Sequence, residues 1–185
     1  MAASYLRSRA VVLDDDDLAH GALRFHPSVF TSGGDRHPAM IALYRDIFTD
    51  APAAIQKTYL SPLAEKIDRE MFGPVKGAAI KLDPDAEVTG GITVAEGCET
   101  ALSGRVLGHR PAWALGSAGM LGAFPVLHEA IEAITILGET DDNGANAKAC
   151  DELADRWLAA GREVVEEVPN IRGDMNDVLK GAAKW

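Results

Sequence analysis

Gly90-Gly91-Ile92-Thr93-Val94-Ala95-Glu96-Gly97-Cys98-Glu99-Thr100-Ala101-Leu102-Ser103 is the stretch on which the reading of this chain turns. Ile92 to Ala95 are apolar or β-branched, with no clean polar alternation, which is the pattern of a buried strand. The strand stops at Glu96-Gly97, and Ala101, Leu102, Arg105 and Val106 begin a helical pattern at once. An acidic residue is thus held at the carboxyl end of a buried strand, where open α/β sheets place ligands. Gly97 beside it lets backbone or ligand approach closely. Taken alone, Glu96 reads equally as a cap on the following helix, and the rest of the chain has to separate the two.

Downstream the same rhythm repeats. Pro111 to Leu115 reads as a strand, followed by Gly116-Ser117-Ala118-Gly119 and a helical stretch through Ile131 that Pro125 interrupts. Ala133 to Leu137 is a third buried strand, ending in Gly138-Glu139-Thr140-Asp141-Asp142-Asn143-Gly144. Ala147, Cys150, Leu153, Ala154, Trp157 and Leu158 then fall at helical spacing, and Gly161 ends that helix. Glu163 to Val168 is a fourth strand, after which come Pro169 and Arg172-Gly173-Asp174-Met175-Asn176-Asp177.

Strands alternating with helices imply parallel pairing through right-handed crossovers. Parallel strands share one carboxyl edge. Glu96 follows the first strand, Ser117 the second, Glu139, Asp141 and Asp142 the third, and Asp174 the fourth. Carboxylates that converge in this way need a counter-ion, and hard oxygen donors suit Mg²⁺ or Mn²⁺. In such sites the ion binds substrate phosphates, which points to phosphoryl-transfer chemistry.

Upstream the pattern is different. Tyr5 to Arg9 form a short helix, and the acidic run Asp14 to Asp17 reads as a solvated loop or helix start. Leu23 to Pro27 looks like a strand ended by its proline, and Thr31 to Asp35 is a loop. His26 and His37 each precede a proline and read as structural or surface residues. Ala39 to Asp46 and Ala53 to Leu60 form a hairpin, with Lys57 in mid-strand. Residues 61–72 are more polar and partly helical. Gly73-Pro74-Val75-Lys76-Gly77 is a turn into a short strand that Asp83-Pro84-Asp85 closes. The expected division is therefore a small β-rich subdomain over 1–88 and an α/β domain over 89–185. The cations Arg45, Lys57, Lys76 and Lys81 of the first part are the candidate nucleic-acid contacts.

Composition narrows the field. The chain has 185 residues, 47% hydrophobic and 25% charged, which is ordinary for a globular protein and excludes wholesale disorder. No apolar run reaches a membrane span and no secretory signal pattern opens the chain. Cys98 and Cys150 form no paired motif, so a zinc ribbon or disulfide framework is not expected and a reducing cytoplasm is the expected setting. A net charge of −10 argues against non-specific nucleic-acid binding by the surface as a whole. The charge is uneven: residues 1–91 hold 10 Lys/Arg against 13 Asp/Glu, and residues 92–185 hold 8 against 15.

Glu96-Gly97 after an apolar strand, with the acid-x-acid pair Glu139-Thr140-Asp141 and Gly144 behind it, resembles the Toprim domain. That domain is shared by bacterial-type primases, type IA and type II topoisomerases and a class of nucleases. Glu96-Gly97-Cys98-Glu99-Thr100-Ala101-Leu102-Ser103 and Gly173-Asp174-Met175-Asn176-Asp177 are similar to segments of plasmid and phage primase-like proteins. Tyr5 to Arg9, Leu23 to Pro27, Lys57 to Leu60 and Gly73 to Gly77 stand in the order of the same group, so the resemblance covers nearly the whole chain. It implies a Rossmann-type, mostly parallel sheet with helices on both faces, behind the small β-rich subdomain.

The resemblance also implies roles. Glu96 becomes the acid–base residue and a candidate metal ligand, Glu139 and Asp141 hold Mg²⁺ or Mn²⁺, and Asp142 and Asp174 are further metal candidates. The implied reaction is nucleotidyl transfer from nucleoside triphosphates on single-stranded DNA. A helicase or other replication protein is a further candidate partner. The alternatives are a Toprim nuclease and a catalytically weak module that binds nucleic acid or a replication protein. Two departures stand out: Glu139 replaces the usual first aspartate, and no amino-terminal zinc ribbon or helicase segment is present. The chain is then either the catalytic core of something larger or a stand-alone relative.

Overall fold

The computed structural model describes residues 1–13, 21–140 and 144–182, and it divides into two compact units, Met1–Ile80 and Lys81–Trp185. The acidic run Asp14 to Asp17 lies outside the described residues.

The first unit opens with helix α1 (Ala2–Ser8), which buries Tyr5 and Leu6. An antiparallel sheet follows, built from β1 (Leu23–Phe30), β2 (Arg36–Asp46), β3 (Pro52–Leu60) and β4 (Lys66–Phe72) in that spatial order. The far end of β2 also pairs with β5 (Ala78–Lys81) through Arg45 and Asp46. Alternation decides what is inside. Met40, Ala42 and Tyr44 face across to Thr58, Gln56 and Ala54, and all six are buried. Their neighbours Ile41, Leu43, Ile55 and Lys57 lie on the other face, half-buried.

Two sequence expectations are corrected here. Pro27 does not end β1: the strand runs on to Phe30, and the irregular register between His26 and Val29 absorbs the missing proline N–H. Residues 66–72, expected to be part of a partly helical segment, form strand β4. Among the described residues this edge strand has a partner on one side only, so it tolerates the charges of Lys66, Asp68, Arg69 and Glu70 that hid it.

The second unit is a parallel sheet of β6 (Gly91–Ala95), β7 (Ala112–Ala114), β8 (Ala133–Leu137) and β9 (Glu163–Glu167), in the order β7-β6-β8-β9. The connecting helices are α2 (Cys98–Val106), α3 (Ala118–Gly122) and α4 (Ala145–Ala159), with α5 (Met175–Ala182) at the end. Helix α2 leads from β6 to β7, whereas α4 leads from β8 the opposite way to β9. Right-handed crossovers therefore put the two helices on opposite faces of the sheet. Between β6 and β8 the direction of winding reverses, and in open α/β sheets such a reversal marks a crevice outside the carboxyl ends of the two strands.

The helical stretch expected through Ile131 is also corrected: α3 is five residues long, and after Gly122 the chain runs without helix to β8. Pro125 cannot supply the N–H a continued helix needs. Phe124 instead turns inward, stacked on Trp157 of α4 at 6.3 Å between ring centres and met edge-on by Trp113 of β7.

A buried carboxylate fixes the entry to this unit. Asp83, with no exposed surface, accepts hydrogen bonds from Arg105 Nε and Nη2 at 2.9 and 2.8 Å, from Arg110 and from the Ala112 N–H at 2.8 Å. Its own carbonyl accepts from Trp113 Nε1 at 2.9 Å. Burial alone would push its carboxyl up. The bonds and charge of Arg105, with Ala112 and Arg110, outweigh burial and hold it below the ordinary aspartate value.

Candidate functional site

The crevice between β6 and β8 is where the acids meet. Glu96 follows Ala95, the last residue of β6, and Glu139 comes two residues after the end of β8, whose Leu137 pairs with Ala95. Asp174 enters from the loop after β9. Three of the acids expected at this edge are thus described there, while Asp141 and Asp142 lie outside the described residues. Ser117 serves its own helix, its hydroxyl accepting the Met120 N–H at 3.3 Å as the cap of α3.

Two polar side chains to which the sequence assigns no evident role hold the acids together. Asn146, in the first turn of α4 and 1% exposed, donates from Nδ2 to Glu96 Oε2 at 3.0 Å. Its Oδ1 accepts the Glu139 backbone N–H at 2.8 Å and the Cys150 thiol at 3.5 Å. Burial, followed by the nearby carboxylates led by Glu166, pushes the Cys150 thiol up to about 12. It therefore stays a protonated donor.

Thr100, in the first turn of α2 and 1% exposed, places its hydroxyl 3.0 Å from Glu139 Oε1 and 2.9 Å from Asp174 Oδ2. One hydroxyl carries one proton, so it cannot donate to both carboxylates at once. Two carboxylates gathered on a single hydroxyl form a set of hard oxygen donors that a hard cation fits. Among the described residues, no group of three or more His, Cys, Asp or Glu side chains is arranged as a metal cage.

The loops that carry the acids are joined. Thr140 and Gly173 form an antiparallel bridge: the Thr140 N–H donates to the Gly173 carbonyl at 2.9 Å, and the Gly173 N–H donates to Thr140 Oγ1 at 2.8 Å. The Thr140 hydroxyl donates in turn to the Ile171 carbonyl at 2.8 Å. Asp174 splits its carboxylate: Oδ1 accepts the Asp177 N–H at 3.1 Å and caps α5, and Oδ2 is left for Thr100. Gly173, at φ +124°, has no room for a side chain, because a β-carbon there would collide with the Asp177 carboxylate. Asn176, fully buried, donates to Ser103 Oγ at 3.0 Å and ties α5 to α2.

The candidate cations are dispersed. Arg45 donates to the Asp50 carbonyl at 2.8 Å and lies 3.5 Å from its carboxylate. Lys57 donates to the Phe30 carbonyl at 3.2 Å, sits 3.9 Å from Glu70 and covers the Phe72 ring. Glu70 is held below the ordinary value by hydrogen bonds from Ser32 and then Tyr59. Tyr59 is pushed to about 12 by burial and by that same carboxylate. Lys76 stands exposed in the turn before β5. Lys81 belongs to the second unit, where its ammonium is buried, 2.6 Å from Asp85 and over the Trp113 ring.

Comparison with known proteins bears on the family and the fold. A family model described as a Toprim domain matches residues 91–184, and one described as a domain of unknown function (DUF7146) matches residues 1–82. No curated protein matches the sequence. Among solved structures, the DnaG catalytic core is similar at TM-score 0.64 and 16% identity, over 96% of this chain and 67% of that one. The RNA polymerase domain of Mycobacterium tuberculosis primase DnaG is similar at TM-score 0.56 and 13% identity, over 98% of this chain and 73% of that one. A DNA primase domain from Pseudomonas aeruginosa is similar at TM-score 0.54 and 16% identity; the match covers 94% of this chain, which spans 58% of that domain's length. At such identities the likeness is one of fold: an α/β fold shared with primase catalytic cores, with a mostly parallel sheet and a β-rich amino-terminal part. No helix among the described residues is long and apolar enough to cross a membrane.

Proposed function

Because this chain belongs to the Toprim domain family, we propose that it is a primase-type nucleotidyltransferase that joins nucleoside triphosphates into short RNA on single-stranded DNA. The observation that carries this reading is the meeting of Glu96, Glu139 and Asp174 at the crevice where the sheet reverses its winding, held by Asn146 and Thr100. The shared fold with primase cores favours this reaction over the other Toprim chemistries.

In phosphoryl transfer the protein does little covalent chemistry and mostly positions groups and stabilises charge. Glu96 is anchored through Oε2 by Asn146, which leaves Oε1 to take the proton of the attacking hydroxyl. Glu139 and Asp174 would hold Mg²⁺ or Mn²⁺, with Asp141 and Asp142 as the further ligands implied by the family resemblance. Bound there, the ion would polarise the phosphoryl oxygens and lower the pKa of the attacking hydroxyl. Thr140 and Gly173 keep the Glu139 and Asp174 loops at a fixed separation. The β-rich part would meet the template backbone through Lys57, Lys76 and Arg45. Such an enzyme would act in the cytoplasm beside a helicase or other replication protein.

The deciding experiment incubates the protein with ribonucleoside triphosphates, Mg²⁺ or Mn²⁺, and single-stranded DNA. RNA oligomers are the expected product. Shortened DNA would assign a nuclease instead, and no product of either kind would reduce the chain to a binding module.

Two further results are expected. Millimolar Mg²⁺ or Mn²⁺ raises the thermal unfolding midpoint, because an ion bound only by the native state stabilises it by about 2.7 kcal/mol at a hundredfold excess over Kd. The shift should vanish in a Glu139→Ala/Asp174→Ala double variant; if it persists there, the ion binds elsewhere. Single-stranded DNA should bind weakly and with strong salt dependence, as a net charge of −10 dictates. Lys57→Ala/Lys76→Ala should weaken that binding at low salt, and an unchanged affinity would move the surface away from these lysines.

A further inference from the structure

We propose that Asn146 is the positioning residue of this centre, its amide orienting Glu96 with one end while its other end fixes the loop of Glu139. The proposal rests on the nucleotidyl-transfer reading for what Glu96 does, and on geometry for the link itself.

An amide has two ends of opposite character, and the surroundings of Asn146 leave no choice between them. The atom facing the Glu139 N–H at 2.8 Å must be an acceptor, so it is Oδ1. The Cys150 thiol donates to the same oxygen. Nδ2 is thereby turned to Glu96 Oε2, 3.0 Å away. Asn146 is 1% exposed, so no water shell competes for either end. Its place is set by a 15-residue helix whose buried stripe continues through Ala149, Cys150, Leu153, Ala154 and Trp157. Gly144, at φ +68°, starts that helix just beyond the Glu139 loop. The consequence is specific: Glu96 is held through one oxygen by a donor that cannot rotate away, and its other oxygen keeps a constant direction.

A competing account gives Asn146 no role beyond satisfying the Glu139 N–H. The two accounts differ at the donor end alone. Asn146→Asp keeps the shape and the acceptor for Glu139 but turns a bare oxygen toward Glu96. Glu96→Gln supplies an amide that can donate back to that oxygen.

Unfolding of wild type, both single variants and the double variant in metal-free buffer therefore forms a cycle that reads the contact directly. The expected result is coupling, with the double variant melting above Asn146→Asp alone. Midpoint shifts that simply add would overturn the link. In RNA synthesis, Asn146→Asp should lower kcat about 10- to 100-fold, the scale seen when partners that orient reacting groups are lost, at nearly unchanged KM for the triphosphate. A kcat within about threefold of wild type would leave Asn146 structural and overturn its positioning role.

If Asn146→Asp does not fold, folding of the double variant supports the link. Asn146→Ala then replaces it in the kinetic comparison, with the same two outcomes. The cycle is read without metal or substrate, so it decides the link even if the wild type makes no RNA. In that case the absence of RNA would sink the proposed reaction, and coupling would leave the Asn146–Glu96 pairing standing.

Discussion

Glu96→Gln is expected to reduce RNA synthesis by about 10²-fold or more, the scale for losing an acid–base group. Its metal-free melting point should change little. Glutamine has nearly the volume of glutamate, and its carbonyl oxygen can still accept the Asn146 amide that meets Oε2 at 3.0 Å. What it loses is the ability to take a proton from an attacking hydroxyl or to bring negative charge to a metal. If Glu96 only supported the start of α2, the variant would lose some stability and keep its rate. Single-turnover and steady-state rates of primer formation decide the matter, and turnover within a few-fold of wild type sinks the assignment.

Asp83→Ala should strongly destabilise the second unit. It removes the carboxylate that pairs with the buried guanidinium of Arg105, and breaking a buried pair on one side typically costs about 3–5 kcal/mol. Arg110 is nearly half exposed and loses less, because solvent can replace its bond. Urea unfolding followed through the buried tryptophans measures the loss, and a change below about 1 kcal/mol would contradict an anchoring role. The pH dependence has a definite sign. The folded carboxyl titrates below its ordinary value. Its contribution is therefore complete above the ordinary aspartate range and is lost as pH falls through the depressed folded value. In Asp83→Asn that segment of the acid limb of the stability curve should flatten.

How much of this could be read in advance depended on the range of the interactions. Strands β6 and β8 were legible because both faces of a parallel strand are covered, leaving unbroken apolar runs such as Ile92 to Ala95 and Ala133 to Leu137. The meeting of Glu96, Glu139 and Asp174 followed from that parallel order. Strand β4 was hidden because an edge strand can carry charges at consecutive positions. The Gly173 to Asp177 segment was recognised as a motif without its helix, although Asp174 and Asp177 three residues apart, followed by Val178 and Leu179, carry the signature of a capped start. Asp83 was read as part of a closing turn, because Arg105 and Arg110 lie 22 and 27 residues further on and nothing local announces them. Thr100 and Asn146 sit on helices that were expected, yet their roles depend on which loop faces each across the crevice. The trace Asn146 leaves in the sequence is a polar residue in register with the apolar stripe of α4.

The aromatic packing of the second unit has a spectroscopic consequence. Trp113 and Trp157 are packed around Phe124, and the third tryptophan, Trp185, is the last residue of the chain; all three follow Ile80. The three tyrosines, Tyr5, Tyr44 and Tyr59, all precede it and are buried in the first unit. The molecule thus carries two optical labels already sorted by unit. Indole emission follows the unit that holds the acids, and tyrosine absorbance follows the β-rich one. Coincident transitions in the two channels during denaturation would mean that the units melt as one cooperative block, and separated transitions that each has its own stability. A ligand that binds only at the acids would reveal itself by moving the indole curve first, with no label added to the protein.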